Sequence, residues 1–517
     1  MKIELMYEPK IPMVFSVIFF GVLFFAESSL AATSINSCQT LSSAGDYFLT
    51  QDVSSRGTCF TISGSNITLD LNWHTVTYNN SSAGPGIVIS GSGNVVQNGT
   101  IIQGAAQSAA SQGIRVTGGT GHELHHLIIR VNGFKDNGIY ASYSDVSVHH
   151  NYVESHTTTD ALTGDGLEAV FLEYRSGGGA SFNDNILIGG HTGVVIVGGS
   201  NATNVYNNLI QQERRPGCKA PYGIGLSWRT HNVKVYNNQI ISDNGRGIIT
   251  DGWSQGAAEG ASGNYIHDNR IDVQYSLAAD AGYYVENAVY GIRDRYSSGN
   301  NTFEKNVVMV TNKLEGQNWG FYIGSDSADS LMTNILASQN TVIARTGFDS
   351  VYTRGFVYDW ATKIDVLNNK YFTDGTFSEL LSWAAVTDLT VSGNTSLTLS
   401  SYTPVTPTGL KITKFLNSYL LQWDDNLAKG ESQTYEYVVY RDGEKLPISP
   451  RGGLFYVDVE PGGSHTYQVS ALNLAGTESA KSVSVSTASA VNGWQDGGTP
   501  PPSDTTPPAA PAGLKVQ

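Results

Sequence analysis

The chain has 517 residues, of which 57 are glycine and 27 are tyrosine, and only 15% of its residues are charged. This profile is typical of an all-β protein with many turns. The formal net charge of −15 argues against nucleic acid as a partner. The length exceeds one ordinary core but suits a stacked repeat with a small additional domain.

The N-terminus has the pattern of a secretory signal peptide. Lys2 and Lys10 precede the apolar run 14–25, and the small residues Ser29 and Ala31 follow it. We expect cleavage after Ala31, which leaves residues 1–31 outside the mature protein. The apolar run is short for a membrane span, so we predict a secreted or cell-surface protein with no membrane span after signal removal.

Residues 94–396 repeat a phrase in which an asparagine is followed within three places by an apolar β-former. The phrase recurs every 23 to 37 residues, provided that a histidine fills one missing place. Self-similarity at such a period predicts a stacked repeat architecture. The repeated positions are Asn98, His126, Asn151, Asn185, Asn208, Asn238, Asn269, Asn306, Asn340, Asn369 and Asn394.

A second phrase, a glycine followed by alternating apolar residues, is interleaved with the first. The runs are short and have period two, and no long amphipathic helical stretch interrupts them. One such unit cannot bury its apolar face alone, whereas stacked copies build a continuous Val/Ile core with asparagines aligned at the turns. We therefore predict a right-handed parallel β-helix of about 10–12 coils over residues 32–400.

The first coil begins with Cys38, a β-rich run, Cys59 and the phrase TLDLNWHTV at Thr68–Val76. This segment resembles the opening of the secreted right-handed parallel β-helix proteins of the pectate-lyase-like superfamily, with Trp73 where that family usually has glycine. The resemblance covers residues 37–396 and implies an extracellular polysaccharide as partner. It leaves the activity open, because the family includes lyases, hydrolases, epimerases and binding proteins.

Cys38 and Cys59 are expected to pair in an oxidising compartment. The bond closes a loop of about 20 residues, worth roughly 3 kcal/mol in the chain-entropy model. Cys218 is the odd cysteine, and we interpret it as a buried or loop thiol rather than a nucleophile.

A second domain follows a proline-punctuated linker around residues 397–408. It has clean strand alternation, a hairpin signal at Asp442-Gly443, and Trp423 and Tyr467 at places that suit a sandwich core and a tyrosine corner. Residues 401–490 thereby resemble a fibronectin type III domain, a module that commonly acts as a spacer in bacterial extracellular carbohydrate-active enzymes. Residues 491–517 read as a Pro/Gly-rich linker and the start of a second such module.

No named catalytic motif is present, so candidate site residues come from stacking the repeats. With the glycine of the second phrase as position one, positions three and five face outward. This places Asp251 beside Arg295 with Arg293 one step diagonal, at a coil spacing of about 4.8 Å. Glu168 would face the same way three coils from Asp251, roughly 14 Å distant. A glycosidase carboxylate pair needs about 5–9.5 Å, so a two-carboxylate hydrolase is disfavoured.

The charge pattern favours an acidic ligand. Six basic residues and two acidic ones lie between Glu213 and Arg246. Guanidinium forks match carboxylates, so this segment with Arg293 and Arg295 suits a uronate-bearing polysaccharide. A polysaccharide lyase needs a cation to neutralise the C5 carboxylate and a base to remove the C5 proton. The alternative for any one of these residues is a surface ion pair.

We therefore predict a polysaccharide-active protein that cleaves an acidic glycan by β-elimination. A non-catalytic glycan-binding or adhesin-like protein, a glycoside hydrolase and a C5-epimerase stay open as alternatives. The sequence predicts a monomer and no metal site or cofactor, and leaves Ca²⁺ binding open. Aromatic residues of the middle coils would stack on sugars or, alternatively, pack loops onto the solenoid. The candidate catalytic residues are Arg293, Arg295, Asp251 and His231, and the candidate substrate-binding residues are Arg229, Trp253, Glu168, Tyr322 and Trp319.

Overall fold

The computed structural model describes residues 32–106, 111–132, 137–155, 168–173, 179–189, 192–198, 203–212, 222–243, 245–252, 260–275, 288–296, 299–312, 317–325, 332–346, 353–373, 380–382, 386–431 and 433–494. The predicted signal segment, Cys218 and the segment 495–517 lie outside these residues. Among the described residues, no helix is long and apolar enough to cross a membrane.

The described residues form strands and two single-turn 3-10 helices, Leu427–Lys429 and Thr487–Ser489. In chain order the strands are β1 Thr33–Ile35, β2 Gln39–Leu41, β3 Gly45–Leu49, β4 Val53–Ser54, β5 Phe60–Ile62, β6 Ile67–Asp70, β7 Thr75–Tyr78, β8 Ile87–Ile89, β9 Val95–Gln103, β10 Ile114–Val116, β11 Gly119–Val131, β12 Ile139–Ser142, β13 Ser144–His149, β14 Tyr152–Ser155, β15 Glu168–Glu173, β16 Ser181–Asn183, β17 Ile186–Gly189, β18 Thr192–Val197, β19 Asn204–Tyr206, β20 Leu209–Gln212, β21 Tyr222–Ser227, β22 Lys234–Tyr236, β23 Gln239–Asp243, β24 Arg246–Asp251, β25 Tyr265–His267, β26 Arg270–Tyr275, β27 Ala288–Arg295, β28 Thr302–Glu304, β29 Val307–Asn312, β30 Gln317–Gly324, β31 Met332–Ser338, β32 Thr341–Thr346, β33 Thr353–Asp359, β34 Ala361–Leu367, β35 Lys370–Thr373, β36 Leu380–Ser382, β37 Thr387–Ser392, β38 Thr395–Ser396, β39 Lys411–Phe415, β40 Ser418–Gln422, β41 Thr434–Arg441, β42 Glu444–Lys445, β43 Phe455–Asp458, β44 Thr466–Asn473, β45 Val485–Ser486 and β46 Val491–Asn492.

Strands β1–β38 wind into coils with three sides. The first side is the thirteen-stranded sheet β2-β5-β8-β10-β12-β15-β18-β21-β24-β27-β30-β33-β36. The second side carries β13, β16 and their successors, the third side carries β14, β17 and theirs, and β9 and β11 run from one to the other. Neighbouring coils pair in parallel, and parallel crossovers of this kind are right-handed. The predicted right-handed parallel β-helix is confirmed, with thirteen described strands on its first side.

A ladder of asparagines joins the coils at the turn between the second and third sides. From Asn185 onward, the Oδ1 atom of each asparagine accepts the backbone N–H and the Nδ2 of the asparagine one coil earlier; from Asn208 to Asn238 these distances are 3.1 and 2.9 Å. The ladder satisfies buried polar groups that the turn would otherwise leave unpaired. Its members are Asn151, Asn185, Asn208, Asn238, Asn269, Asn306, Asn340, Asn369 and Asn394.

The predicted places of Asn98 and His126 in this ladder are wrong by one residue. Leu127 occupies the ladder position of its coil, and its N–H donates to Asn151 Oδ1 at 3.0 Å. Asn98 and His126 lie one place earlier, with φ of 56° and 55°, in the same conformation as His150 at 54°. Asparagine also favours this left-handed conformation. Two adjacent positions of the same turn therefore suit asparagine, and the sequence pattern does not distinguish them.

The glycine of the second phrase lies where the third side approaches the first-side backbone. A Cβ on Gly247 would collide with Cγ2 of Ile271 and with the carbonyl oxygen of Gly291 in the next coil. Gly223 and Gly320 have the same surroundings. The repeat therefore needs glycine for close approach rather than for a turn conformation.

The first coils carry the predicted disulfide. Cys38 and Cys59 are bonded, with their Cα atoms 4.6 Å apart. The bond joins coils that neighbour each other through β2 and β5. It therefore ties the N-terminal end of the solenoid, as the sequence predicts.

Strands β39–β46 form a β-sandwich of two four-stranded sheets, β43-β40-β39-β46 and β42-β41-β44-β45. Leu421 and Trp423 of one sheet share a core with Tyr437, Tyr467 and Val469 of the other. The hydroxyl of Tyr467 donates to Asp458 Oδ2 at 2.8 Å. Trp423 and Tyr467 thus occupy core places, while the assignment to the type III family stays a prediction.

The sandwich packs along the third side of the β-helix. Phe415 of the sandwich stacks on Tyr152 of β14, with ring centroids 4.7 Å apart, and Tyr435 packs near Met309 and Phe372 several coils further on. Charged side chains are buried in this contact. Arg451 is 2% exposed and pairs with Asp243 and, at 3.6 Å, with Asp272. The sandwich is therefore docked along the β-helix and is not held apart from it as a spacer would be.

Candidate functional site

The predicted neighbours on the first side lie together. In β24 and β27, Asp251 is the register partner of Arg295, and Ile249 is the partner of Arg293. Arg293 is in turn the partner of Tyr322 in β30. Strand alternation therefore brings Asp251, Arg293 and Arg295 onto one face.

This face is rich in cations. Five adjacent coils, from β21 to β33, carry five arginines and three aspartates among the described residues of their first-side strands and the turn after β21. One of the aspartates is fully buried. The arginines are Arg229, Arg246, Arg293, Arg295 and Arg354, and the aspartates are Asp251, Asp294 and Asp359. In a chain of net charge −15, such a surface attracts anions.

Arg293 lies against a cluster of aromatic rings. Its guanidinium carbon is 4.8 Å from the centroid of Tyr290 and 6.0 Å from that of Tyr322. Tyr322 stacks on Trp319 with centroids 5.3 Å apart. These rings and Val357 form a buried cluster of their own, separate from the solenoid core.

The aromatic cluster is closed in this structure. Trp319 is 3% exposed, Tyr322 is 6% and Arg293 is 4%. The rings pack against each other and the guanidinium, which is the packing alternative for the aromatic residues of the middle coils. A contact of Trp319 or Tyr322 with a sugar would require this cluster to open.

Arg295 is more accessible than Arg293. It is partly exposed, its guanidinium lies 4.3 Å from the centroid of Tyr296, and its Nη2 donates to the Tyr296 hydroxyl at 2.6 Å. Asp251 is also partly exposed. Arg295 is therefore better placed than Arg293 to meet a ligand.

Asp294 explains how the two arginines are held. Its side chain is fully buried, as the position between two outward residues predicts. It accepts hydrogen bonds from the Thr250 hydroxyl and, at 3.2 Å to each oxygen, from Asn301 Nδ2. These partners offset the cost of burying a carboxylate. Asp294 thereby anchors β27, in which Arg293 and Arg295 are the residues on either side of it.

Arg229 and His231 lie on the turn that follows β21. Arg229 is exposed, and its guanidinium carbon is 5.3 Å from the centroid of Trp228. His231 Nδ1 is hydrogen-bonded to Ser262 Oγ at 2.8 Å, and burial lowers the pKa of the imidazole. His231 is thus a neutral base at pH 7, placed at the turn toward the second side rather than on a first-side strand.

The register of Glu168 differs from the prediction. Its main chain pairs with Thr192, while Phe171 pairs with Tyr140 and Val195. The position aligned with the predicted outward column is therefore Phe171, three residues later. The run Val170-Phe171-Leu172 is as apolar as the predicted one, so alternation alone could not choose between them. Trp253 lies outside the described residues.

The second side carries a histidine cluster that was not predicted from the sequence. His125 stacks on His149 and His126 on His150, with centroids 5.1 and 5.3 Å apart. Trp494 lies edge-on against His126 and His150. The sequence feature that could have revealed this cluster is the pair His125-His126, which recurs one coil later as His149-His150. In the described part of the chain no three His, Cys, Asp or Glu side chains are placed to hold a metal ion.

No protein-family model and no curated protein sequence matches the chain. Among solved structures, a mutant tailspike protein of Escherichia coli bacteriophage HK620 in complex with pentasaccharide is 13% identical, with a TM-score of 0.45, covering 88% of this chain and 86% of that one. The Dettilon tailspike protein is 14% identical, with a TM-score of 0.41, covering 79% and 74%. The mannuronan C-5 epimerase A-module of Azotobacter vinelandii is 10% identical, with a TM-score of 0.34, covering 69% and 90%. No substrate of this chain follows from likenesses this distant.

Proposed function

We propose that the first side of the β-helix binds a uronate-bearing polysaccharide and cleaves it by β-elimination. The observation that carries the proposal is the arginine-rich face of the coils β21 to β33 within an acidic chain. Arginine forks bind carboxylates in a bidentate manner. A polymer with regularly spaced carboxylates would engage several of these arginines together.

The residues of this face and of the turn after β21 suit the steps of an elimination. Arg295 would neutralise the C5 carboxylate, which makes the C5 proton more acidic. Asp251, its register partner, would orient the guanidinium. His231, neutral at pH 7, would accept the C5 proton. The electron pair of the C–H bond then forms the C4–C5 double bond, and the glycosidic oxygen leaves C4 and takes a proton.

A second candidate is glycan binding without cleavage. Arg293 is 4% exposed and packed on tyrosines, and His231 lies on the turn after β21 rather than on a first-side strand with Arg293 and Arg295. A binding protein needs the cationic face but no aligned base. The same experiment separates the two candidates.

The test incubates the mature protein, residues 32–517, with pectate, alginate and glycosaminoglycans. Ultraviolet absorbance of unsaturated uronates and new reducing ends are followed together, and binding is measured in parallel. We expect absorbance and reducing ends to rise together, and Arg295→Ala to lower the rate by about a hundredfold, as for loss of one charge-stabilising group. The matched control is Arg115→Ala, an exposed arginine of the same sheet six coils away.

Each outcome has a distinct meaning. Reducing ends without absorbance would indicate a hydrolase, and a changed uronate configuration without cleavage would indicate an epimerase. Binding without any product would favour the non-catalytic candidate. Absence of binding to every anionic polymer would overturn the proposed function.

A further inference from the structure

A column of alternating large and small residues runs along the turn after the first-side strands. In successive coils it holds Trp228, Gly252, Tyr296, Ser325 and Trp360. The first four share one backbone pattern, in which the N–H donates to the last strand residue of the next coil: Trp228 to the oxygen of Asp251 at 3.0 Å and Tyr296 to that of Gly324 at 3.3 Å. Gly252 and Ser325 do the same at 3.1 Å. The aromatic residues therefore stand two coils apart, roughly 10 Å at the spacing of paired strands.

The backbone at these aromatic residues is unusual. Trp228, Tyr296 and Trp360 have φ of 31°, 51° and 42°, a left-handed region that bulky residues rarely adopt. Such strain clusters at ligand-binding positions. The three rings are partly exposed, whereas Trp319 and Tyr322 on the neighbouring strand are buried. The strained positions are thus the ones that present aromatic surface.

Cations follow the same two-coil period. Arg229 lies against the ring of Trp228 and Arg295 against that of Tyr296. Trp360 has the carboxylate of Asp359 as its preceding residue instead. The pair of one ring and one guanidinium therefore occurs at both Trp228 and Tyr296, two coils apart.

We propose that this column binds a linear polysaccharide that runs parallel to the solenoid axis and has a disaccharide repeat of one uronate and one uncharged sugar. The apolar face of a sugar ring stacks on an aromatic side chain, and an extended disaccharide unit has a length comparable to two coils. Each ring would hold the same sugar of successive repeats, and each arginine would hold the uronate carboxylate. This inference rests on the proposed function, since it specifies the acidic glycan of the same face.

The test compares polymers by calorimetry with the mature protein. Hyaluronan and heparosan alternate a uronate with an uncharged sugar, whereas pectate and polymannuronate are uronate homopolymers. We expect the alternating polymers to bind about tenfold more tightly. Trp228→Ala and Tyr296→Ala should each weaken that binding about five- to tenfold, as for an anchoring aromatic contact. Trp228→Phe, which keeps a ring, should lose less than Trp228→Ala.

The matched control is Tyr143→Ala. Tyr143 lies on the same turn with φ of 54° and is 65% exposed, but it is three coils from Trp228 and so outside the two-coil period. Its removal should leave affinity unchanged. Equal or tighter binding of the homopolymers, or unaltered affinity in Trp228→Ala and Tyr296→Ala with native thermal unfolding, would overturn this inference alone. Failure to bind any anionic polymer would overturn the proposed function with it.

Discussion

The side-chain amide of Gln211 forms two hydrogen bonds with the main chain of Val457. Its Nε2 donates to the Val457 oxygen at 2.7 Å, and its Oε1 accepts from the Val457 N–H at 2.8 Å. Gln211 belongs to the third side of the β-helix and Val457 to the sandwich. Because all these groups are buried, each has its partner only while the two domains are docked.

Gln211→Leu should destabilise the protein by about 2–4 kcal/mol. The substitution leaves two buried backbone groups of Val457 without partners, each at a cost of about 1–3 kcal/mol. Chemical denaturation of the chain of residues 32–517 measures the change. Gln51→Leu, at an exposed glutamine, is the control and should change stability by less than about 0.5 kcal/mol. Equal effects of the two variants would contradict the importance of this bridge.

Arg451→Met should cost about 3–5 kcal/mol, because it leaves the buried carboxylate of Asp272 and the partly buried carboxylate of Asp243 without their cation. The free energy of unfolding of Arg451→Met, with and without Asp243→Asn, gives the coupling in a double-mutant cycle. Arg441→Met is the comparison, since the Arg441 side chain is 33% exposed while its partner Asp458 is 8% exposed. We expect a smaller loss, because solvent screens the charge of an accessible guanidinium. A loss for Arg451→Met no larger than that for Arg441→Met would refute the prediction.

Asn238→Ala should destabilise the protein more than Asn394→Ala. Asn238 lies in the middle of the ladder, where its Oδ1 accepts two hydrogen bonds and its Nδ2 donates to Val205 and Asn269. Asn394 is the last described member and is partly buried. We expect about 3 kcal/mol for the first and about 1 kcal/mol for the second. Urea unfolding measures both, and a reversed order would show that the ladder does not act as a continuous unit.

Stability should fall as the pH decreases from about 6.5 toward 4. Burial, followed by the charges of neighbouring histidines, lowers the pKa of His126 from 6.5 to about 4, and burial also lowers the pKa of His125 and His150. A lowered pKa in the folded state means that the unfolded chain binds more protons in this window, so acid favours unfolding. The melting temperature between pH 8 and 4 measures the effect.

The double variant His126→Asn and His150→Asn should flatten this pH dependence. Asparagine suits the left-handed backbone at both positions, as Asn98 and Asn207 show in the same column. His74→Asn, at a histidine outside the cluster, is the control and should keep the wild-type slope. An unchanged slope in the double variant would assign the acid sensitivity to other groups.

The coil architecture was predictable because each repeat contains its own alternation of apolar and polar residues. Asn151 and its successors mark the turn, and the glycines mark the close approach to the core. The register between strands of neighbouring coils was harder to predict. Asn98, His126 and Glu168 were each misplaced by one to three residues, because adjacent positions with equivalent chemistry satisfy the same pattern.

The predicted adjacency of Asp251 and Arg295 depended only on counting from a glycine within each repeat, and the structure confirms it. The docking of the sandwich could not be predicted in this way. It depends on residues such as Gln211 and Arg451, which are far along the chain from their partners Val457 and Asp243, at separations of 246 and 208 positions, and carry no periodic signal. The column of Trp228, Tyr296 and Trp360 could not be predicted for another reason. Its members follow β21, β27 and β33, and these three strands have different sequences.

The contact of Trp494 with His126 and His150 has a mechanical consequence. Although the solenoid runs on to Ser396, the last described residue returns beside its early coils. The sandwich also contacts Asp272 and Met309 of later coils. A force applied between Ala32 and Trp494 would therefore be shared between the early coils and the later coils through the docked sandwich.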